Sequence, residues 1–600
     1  MVYSIKFHYN WRLTLANIEP VQIVEIDIDY CTLSYGTGAC DAVLGTTGVR
    51  KCFNTFATCQ SKLNFDKGVK TIRFITPTSS VPKGEVYFPA LKSVSAFSSS
   101  VNISGTSPKL GALGKRGKVT VKLADFAYHD RYLDKYQSER VDGTAQSDEG
   151  GYDPTDRGSF FTKLKSRFPN YSGRPLRVID GYVDGGVFTS VQTRHFIMTE
   201  VVGPDGNGNM TIEAKDVLTL AEKKSATAPI ASKGELELDI TTGSLSFNLL
   251  PSGIGSDYPT SGYAVIGSEV VSYTRSSDEV TLTGRGLYRT QEEEHSAGDT
   301  FQEALVYENE LVSGVMSDLL NNYTDIPTSY IPTADYIAES ERWASTLKLN
   351  TVITEPTSVA VLLGELAILG VSIWWDDVDQ EIKMKMTKPL DLGEVPYPIS
   401  DNANIKSISQ EDRDEERLTQ VHFYSLQSDP TDGAKDKSNY DRIRVTVDTE
   451  AEQENSYNDV HIREIFCRWL NVGGDASIRI RSRRLLTRFN TAPKIIKFKV
   501  DAKDISIGLT DVIQVESRVI SDDTGKPIPT LFEVTQRTET VAGHEIELMA
   551  QEYRYEGNYG YIMANDANPY GSATDQEKEE GCYIADAAGV IFTDETYKII

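Results

Sequence analysis

Nine stretches of the chain alternate apolar and polar residues with a period of two, and this alternation limits the fold more than any other feature. They are VQIVEIDIDY at 21–30, KTIRFITP at 70–77, GKVTVKLADF at 117–126, RHFIMTEVV at 194–202, NMTIEAKDV at 209–217, EIKMKMTK at 381–388, DRIRVTVDT at 441–449, KIIKFKVDA at 494–502 and DVIQVESRVI at 511–520. Successive side chains of a strand point to opposite faces, so each stretch reads as a strand with one buried face. Turn residues are dense, with 45 Gly and 23 Pro, and Tyr is abundant at 30. The expected class is mainly β with a few helices. Six hundred residues exceed what one core holds, so three to five domains are expected.

Helical periodicity is convincing at 357–370, 458–472 and 477–490. In the first, Leu362, Leu363, Leu366 and Leu369 fall at helical spacing and read as core. The third carries Arg479, Arg481, Arg483, Arg484 and Arg488, the most basic stretch of an acidic chain. It reads as a solvated or salt-bridged face, with QEDRDEER at 410–417 as a partner in the same fold or in a neighbouring subunit. Polar segments at 141–158, 203–209 and 425–441 read as surface loops. Trp374 and Trp375 are adjacent on a strand, so one ring faces inward and the other outward, toward a neighbouring domain or subunit.

The net charge of −26 argues against a surface that wraps nucleic acid, which needs clustered Lys and Arg. An acidic wall repels phosphates and suits a conduit past which nucleic acid slides. No apolar run reaches the roughly 18 residues of a membrane span, because the best candidate, 359–375, contains Glu365. The first twenty residues lack the basic and apolar regions of a secretory signal, and folding in a reducing cytoplasm is expected.

Four of six cysteines, Cys31, Cys40, Cys52 and Cys59, fall within CTLSYGTGACDAVLGTTGVRKCFNTFATC. In a reducing compartment such clustering favours a metal site over paired disulfides or buried free thiols. The intervals contain no C-x2-C knuckle, which disfavours structural zinc, whereas an iron–sulfur cube accepts longer intervals. Spacing alone leaves the choice open. Gly36, Gly38, Gly45 and Gly48 suit a tightly folded backbone, and Arg50 and Lys51 beside Cys52 are expected to favour thiolate. Cys467, in HIREIFCRWL, reads as a buried helix thiol, and Cys582 has no evident partner.

The run from Cys31 through KCFNTFATCQSKLNFDKGVKTIRF resembles the N-terminal region of baseplate hub proteins of long-tailed, non-contractile phages and gene transfer agents. The likeness continues through PALKSVSAFSSSVNISGTSPKLGALGKRGKVTVKLADF and a D-x3-D-x-Y-x3-R element at Asp130, Asp134, Tyr136 and Arg140, which reads as structural. A module at 258–302, marked by Gly262, Glu269, Tyr273, Arg285, Gly286, Thr290, His295 and Gly298, resembles a small β unit of tail proteins. There an Arg-Gly turn with a capping His is favoured over an acid–base pair of Glu269 and His295.

The resemblance implies an N-terminal cysteine region at 1–80, a first β-barrel at 81–235, a small β module at 236–306, a helix-plus-hairpin domain at 307–406, a second β-barrel at 407–550 and an extended arm at 551–600. It implies that Cys31, Cys40, Cys52 and Cys59 ligate a [4Fe-4S] cluster, with zinc as the alternative metal. It further implies a non-enzymatic homotrimer at the distal end of a phage tail, assembled in the host cytoplasm, that joins the hexameric tube to the threefold tip. The trimer would close the channel and open it for genome ejection. Implied partners are the distal tail protein, other tip or fibre proteins and the tape measure protein, with DNA only in transit. A tail-borne peptidoglycan hydrolase and an iron–sulfur electron carrier are the alternatives. Seven scattered His give the first no catalytic constellation, and the second leaves most of the chain unexplained.

Overall fold

The structure, a computed structural model, describes residues 19–554 with interruptions at 97, 104–112, 378, 391–393, 472–473, 505 and 542–544, and then 572, 574, 583–585 and 591–596. Two compact units are present: Met1–Thr387 with Pro396–Tyr553, and Lys388–Val395 with Arg554–Ile600. In the second unit the strands Tyr583–Ala585 and Ile591–Thr596 pair antiparallel. Most of the arm at 551–600, including Cys582, lies outside the described residues.

The first sheet of the large unit runs in the order Tyr87–Phe88, Lys67–Ile75, Glu19–Cys31, Pro175–Asp184, Val187–Val202, Asn209–Lys215, Lys118–Ala124, Leu91–Val94. Its two edge strands are consecutive in the chain, separated by Pro89 and Ala90, so the sheet curls until its ends meet. The Ala90 carbonyl accepts from Ala124 N–H at 2.7 Å at that corner. Alternation along Glu19–Cys31 sends Val24, Ile26 and Ile28 inward against Phe74, Phe160 and Phe161. The outward Glu25 and Asp27 meet Arg177 of the adjacent strand at 2.8 and 2.7 Å. A carboxylate on every second residue is therefore satisfied across strands.

The second large sheet repeats this closure. Its order is Tyr397–Ser400, Val512–Glu516, Thr530–Val541, Glu545–Glu552, Lys494–Asp501, Ser407–Asp412, and its edge strands are again chain neighbours. Among the described residues, two kinds of joint connect it to the first. Ser98–Ser100 adds to Thr530–Val541 as an antiparallel strand, and buried Arg194 pairs with Asp180 of the first sheet and Glu539 of the second.

Between them the strands Gly234–Leu236, Ser246–Leu250, Glu279–Gly284, Glu269–Ser276, Ser261–Ile266 and Thr300–Leu311 form a closed ring, because the first also pairs with the last. Lys348–Ile353 extends this ring on one side. A helical layer follows, with helices Val312–Asn322, Thr333–Trp343 and Val359–Ile368 and the hairpin Val371–Asp376 with Glu381–Met386. Leu362, Leu363 and Leu366 are fully buried in its core, and Leu369 is buried beside them. Trp375 enters this core, while Trp374, on the opposite face, packs on the core of the second large sheet. The hairpin thus lies between two cores, each taking one indole.

Two sequence expectations change. Segment 458–472 is not helical in its described residues, 458–471: Ile462–Phe466 is a strand parallel to Gln420–Gln427, which in turn pairs with Tyr440–Val447. Its Ile462, Ile465, Phe466 and Trp469 imitate a helical stripe, but β-branched and aromatic residues beside a receptive strand favour pairing. Cys467 is buried as expected, though on the turn after that strand; burial pushes its thiol up to about 12. The basic stretch is a helix, Asp475–Phe489, but its arginines divide. Arg481 donates to the Ile368 carbonyl at 2.7 Å and Arg488 pairs with Glu533 at 2.8 Å, whereas Arg479, Arg483 and Arg484 are exposed. Within 410–417, Arg417 pairs with Asp414 at 3.0 Å and Arg413 with Glu416 at 3.4 Å, so that stretch carries partners of its own. No helix among the described residues is long and apolar enough to cross a membrane.

Candidate functional site

The cysteine window is an insertion between the first two strands of the first sheet. Cys31 ends the strand Glu19–Cys31 and Lys67, its register partner, begins the next. Between Thr32 and Asp66 the buried residues are Ala42, Asn54, Thr55 and Ser61, so this segment has no apolar core to fold around. Directional bonds hold it instead. The Cys31 N–H donates to the Asn54 carbonyl at 2.7 Å. The Asn54 side chain, in a left-handed backbone conformation, returns donors to the Cys31 and Leu33 carbonyls at 3.1 Å each. Gln60 accepts from the Tyr35 and Thr47 hydroxyls at 2.6 and 2.8 Å and so ties three turns together. Cys59 follows the short turn Phe56–Thr58, and its N–H donates back to Phe56 at 3.2 Å. Gly36, Gly38 and Gly45 take the positive φ that tight turns require, and Gly48 does not.

The D-x3-D-x-Y-x3-R element clamps this loop from outside. Tyr136 accepts the Tyr35 N–H at 2.6 Å across 101 residues of sequence. Arg140, fully buried, pairs with Asp134 at 2.6 Å and donates Nη2 to the Lys51 and Cys52 carbonyls at 3.2 and 3.0 Å. Asp130 holds Arg167 at 2.7 Å and Lys163 at 3.2 Å. The Arg140 and Arg167 guanidiniums both lie against the Phe53 ring, 3.7 and 3.9 Å from its centroid. Segment 49–51 extends the contact as backbone: Lys51 N–H donates to the Ala145 carbonyl at 2.8 Å and Ser147 N–H to the Val49 carbonyl at 2.8 Å.

All four thiols come into one neighbourhood. Burial pushes the Cys52 thiol up; a backbone N–H from Asn54 opposes this, and the negative charges of Cys59, Cys40 and Cys31 add to it. Cys59 is likewise raised by burial, opposed by the Ser61 N–H, with Cys31 and Cys40 adding. The expectation that Arg50 and Lys51 favour a Cys52 thiolate is therefore corrected, because burial dominates at this thiol. Lys51 is engaged with Glu139 at 2.7 Å and lies over the Tyr136 ring, so its charge serves the clamp. Among the described residues no group of three or more His, Cys, Asp or Glu is in place to hold a metal ion. Nη1 of buried Arg140, whose Nη2 donates to the Cys52 carbonyl, is a buried donor without a hydrogen-bond partner beside this segment.

Glu269 and His295 also meet, at 2.9 Å, and both are buried. The carboxylate is saturated: Arg285 donates at 2.9 and 2.6 Å, Gly286 N–H at 2.9 Å and Glu293 N–H at 3.3 Å. Burial pushes the Glu269 carboxyl up, but the bonds from Arg285, His295 and the two backbone amides outweigh it and bring the group down to about 2. With every lone pair engaged and no access to solvent, this is a structural hub of its ring.

Sequence reasoning named the cysteines and the clamp element separately but not their contact, nor the roles of Asn54, Gln60 and Phe53. The spacing of Tyr136 and Arg140, one helical turn apart just ahead of a Gly, was the one local signal available.

No family profile and no curated protein sequence matches the chain. Among solved structures it is similar to the tail protein from Neisseria meningitidis, with 10% identity and a TM-score of 0.34 over 76% of this chain and 91% of that one. The 43 kDa tail protein of prophage MuSo2 from Shewanella oneidensis gives 10% identity and a TM-score of 0.34 over 77% and 97%. A chain in the virion of a native gene transfer agent particle gives 12% identity and a TM-score of 0.29 over 56% and 88%. These likenesses are too distant to assign the chain to a fold family.

Proposed function

We propose that this chain is a structural, non-enzymatic hub at the distal end of a phage tail, a homotrimer that joins the tail tube to the tip and opens for genome ejection. The observation that carries this reading is the meeting of two separated motifs that mark the hub resemblance. The cysteine window and the Asp130 to Arg140 element lie far apart in sequence, yet Tyr136 and Arg140 grip the window at Tyr35 and at Lys51–Cys52. Two large sheets with the same edge-to-edge closure suit a trimer that offers six similar barrels to a sixfold tube. The Arg194–Glu539 pair and the Ser98–Ser100 strand would fix the two barrels of one chain as a unit.

In this reading Cys31, Cys40, Cys52 and Cys59 hold a [4Fe-4S] cluster, and zinc is the lesser alternative. When bound, the cluster supplies metal–thiolate bonds that cross-link the turns of a loop without a core. Asn54 and Gln60 set those turns, and Arg140 and Tyr136 attach the loop to the barrel. Channel opening would be a rigid-body movement at subunit contacts, with the distal tail, tape measure and fibre proteins as neighbours.

Electron microscopy of a virion carrying this chain tests the placement: density at the tail tip with threefold symmetry supports it, and density elsewhere on the particle overturns it. Anaerobic purification tests the cofactor. A brown protein absorbing near roughly 400 nm, with about four irons and four labile sulfides per chain, is expected. A colourless protein with one zinc per chain would sink the cluster and leave the hub placement standing.

A further inference from the structure

Between the cysteine loop and helix Phe160–Arg167 lies an open cavity of about 560 Å³, within the size range of small-molecule sites. Arg50, Lys51, Arg157, Lys163 and Arg167 line it, and no Asp or Glu does. In a chain of net charge −26 this is a local inversion of sign. Carboxylates outside the lining neutralise part of it: Glu139 on Lys51, buried Asp130 on both Lys163 and Arg167, and exposed Glu149 on Arg157. Three carboxylates against five cations leave two positive charges in excess at the cavity. The carboxylates also hold Lys51, Lys163 and Arg167 in place, so ordering these long side chains around a ligand costs less than it would on an open surface.

We propose that this cavity binds a phosphate-class oxyanion carrying at least two negative charges. The Arg167 guanidinium, whose Nη2 is on Asp130, and the exposed Arg50 guanidinium can present donors to a tetrahedral oxyanion, while Arg157, whose two Nη atoms are closed by Glu149, and the lysines add positive charge. A concave wall of one sign focuses the field that draws such a ligand in. The anion is either free or carried as an ester on a larger molecule, and both present the same group to the wall. Cys52 also borders the cavity, so these cations would equally offset the charge of a thiolate-bound cluster; the two roles are separable.

Calorimetric titration of the full chain with inorganic pyrophosphate, glycerol 3-phosphate and acetate at one ionic strength tests the site, with and without bound iron. Pyrophosphate or the phosphate ester should bind at least about ten-fold tighter than the monoanion acetate, in both states. A preference for glycerol 3-phosphate identifies a carried phosphate, and a preference for pyrophosphate a free one. The double variant Arg50→Gln, Arg157→Gln alters two exposed side chains that make none of the clamp's side-chain bonds, and should lower affinity at least about ten-fold with melting temperature and iron content unchanged. Equal binding of acetate and phosphates, undiminished binding by the double variant, or binding confined to iron-free protein would each overturn the assignment, the last by leaving the cations a charge-balancing role only.

Discussion

The cysteine loop and the helical layer are held by opposite means. Helices Val312–Asn322 and Val359–Ile368 bury Val315, Met316, Leu319, Leu362, Leu363 and Leu366 completely, and their stability comes from apolar area removed from water. Between Thr32 and Asp66 the only apolar side chain buried is that of Ala42, while Val43, Phe56 and Leu63 remain exposed. Each bond in the loop is directional and each has a named partner. An apolar core spreads the loss of one side chain over its neighbours, whereas a clamp of single bonds concentrates it. The loop should therefore open locally, ahead of the rest of the molecule.

Arg140→Ala should produce the largest effect. Asp134 and Arg140 have no solvent exposure, so removing the guanidinium leaves a buried carboxylate unpaired, a loss of about 3–5 kcal/mol. It also frees the Lys51 and Cys52 carbonyls from their donor. Hydrogen exchange should rise across 31–66 while 312–386 stays protected, and, with the proposed cluster bound, iron content should fall with it. Uniform loss of protection would mean that loop and layer open together, against the contrast drawn above.

Leu363→Ala approaches the same contrast from the other side. A fully buried leucine replaced in a packed layer costs about 2–5 kcal/mol through lost transfer energy and the cavity left behind. The denaturation midpoint of the large unit should fall, with iron retained until that transition. Iron released before the transition would show that the loop depends on the layer.

What could be read in the sequence divides along the same line. Period-two alternation reports burial on one face, so each of the nine expected strands has a counterpart in the sheets, and Leu362 to Leu369 declared their helix. The clamp was not legible, since nothing local at Arg140 says that its donors end on Cys52, and Asn54 works only because a turn brings it back to Cys31. Segment 458–472 failed because Ile462, Ile465 and Trp469 fit the helical period, and the deciding neighbour, Gln420–Gln427, is distant in sequence. Helices Val312–Asn322 and Thr333–Trp343 went unremarked because capping signals are weak at both, with no side-chain bond at either N-cap.

Glu269 places loop-like polar bonding inside an apolar ring, and so sharpens the comparison at intermediate size. Its folded carboxyl lies near 2, below the ordinary 4.5, so its contribution is fully present above about pH 4.5 and is lost as pH falls toward 2. Glu269→Gln should destabilise the ring by about 3 kcal/mol at neutral pH, since Arg285 then lacks a counter-charge. The variant should also lose stability less steeply than the parent between those pH values in urea titrations. Parallel pH profiles for variant and parent would show that the carboxylate is not the titrating support.

The smallest effect belongs to the exposed arginines of helix Asp475–Phe489. Arg479 and Arg483 face solvent, where ion pairs and hydration nearly cancel, so Arg479→Gln with Arg483→Gln should shift unfolding by no more than about 0.5 kcal/mol. Arg488→Gln on the inward side leaves Glu533 without its partner and should cost several times as much. If the outward pair proved equally costly in the assembled particle but not in the isolated chain, those charges would face a neighbouring subunit, and the helix would belong with the clamp rather than with the layer.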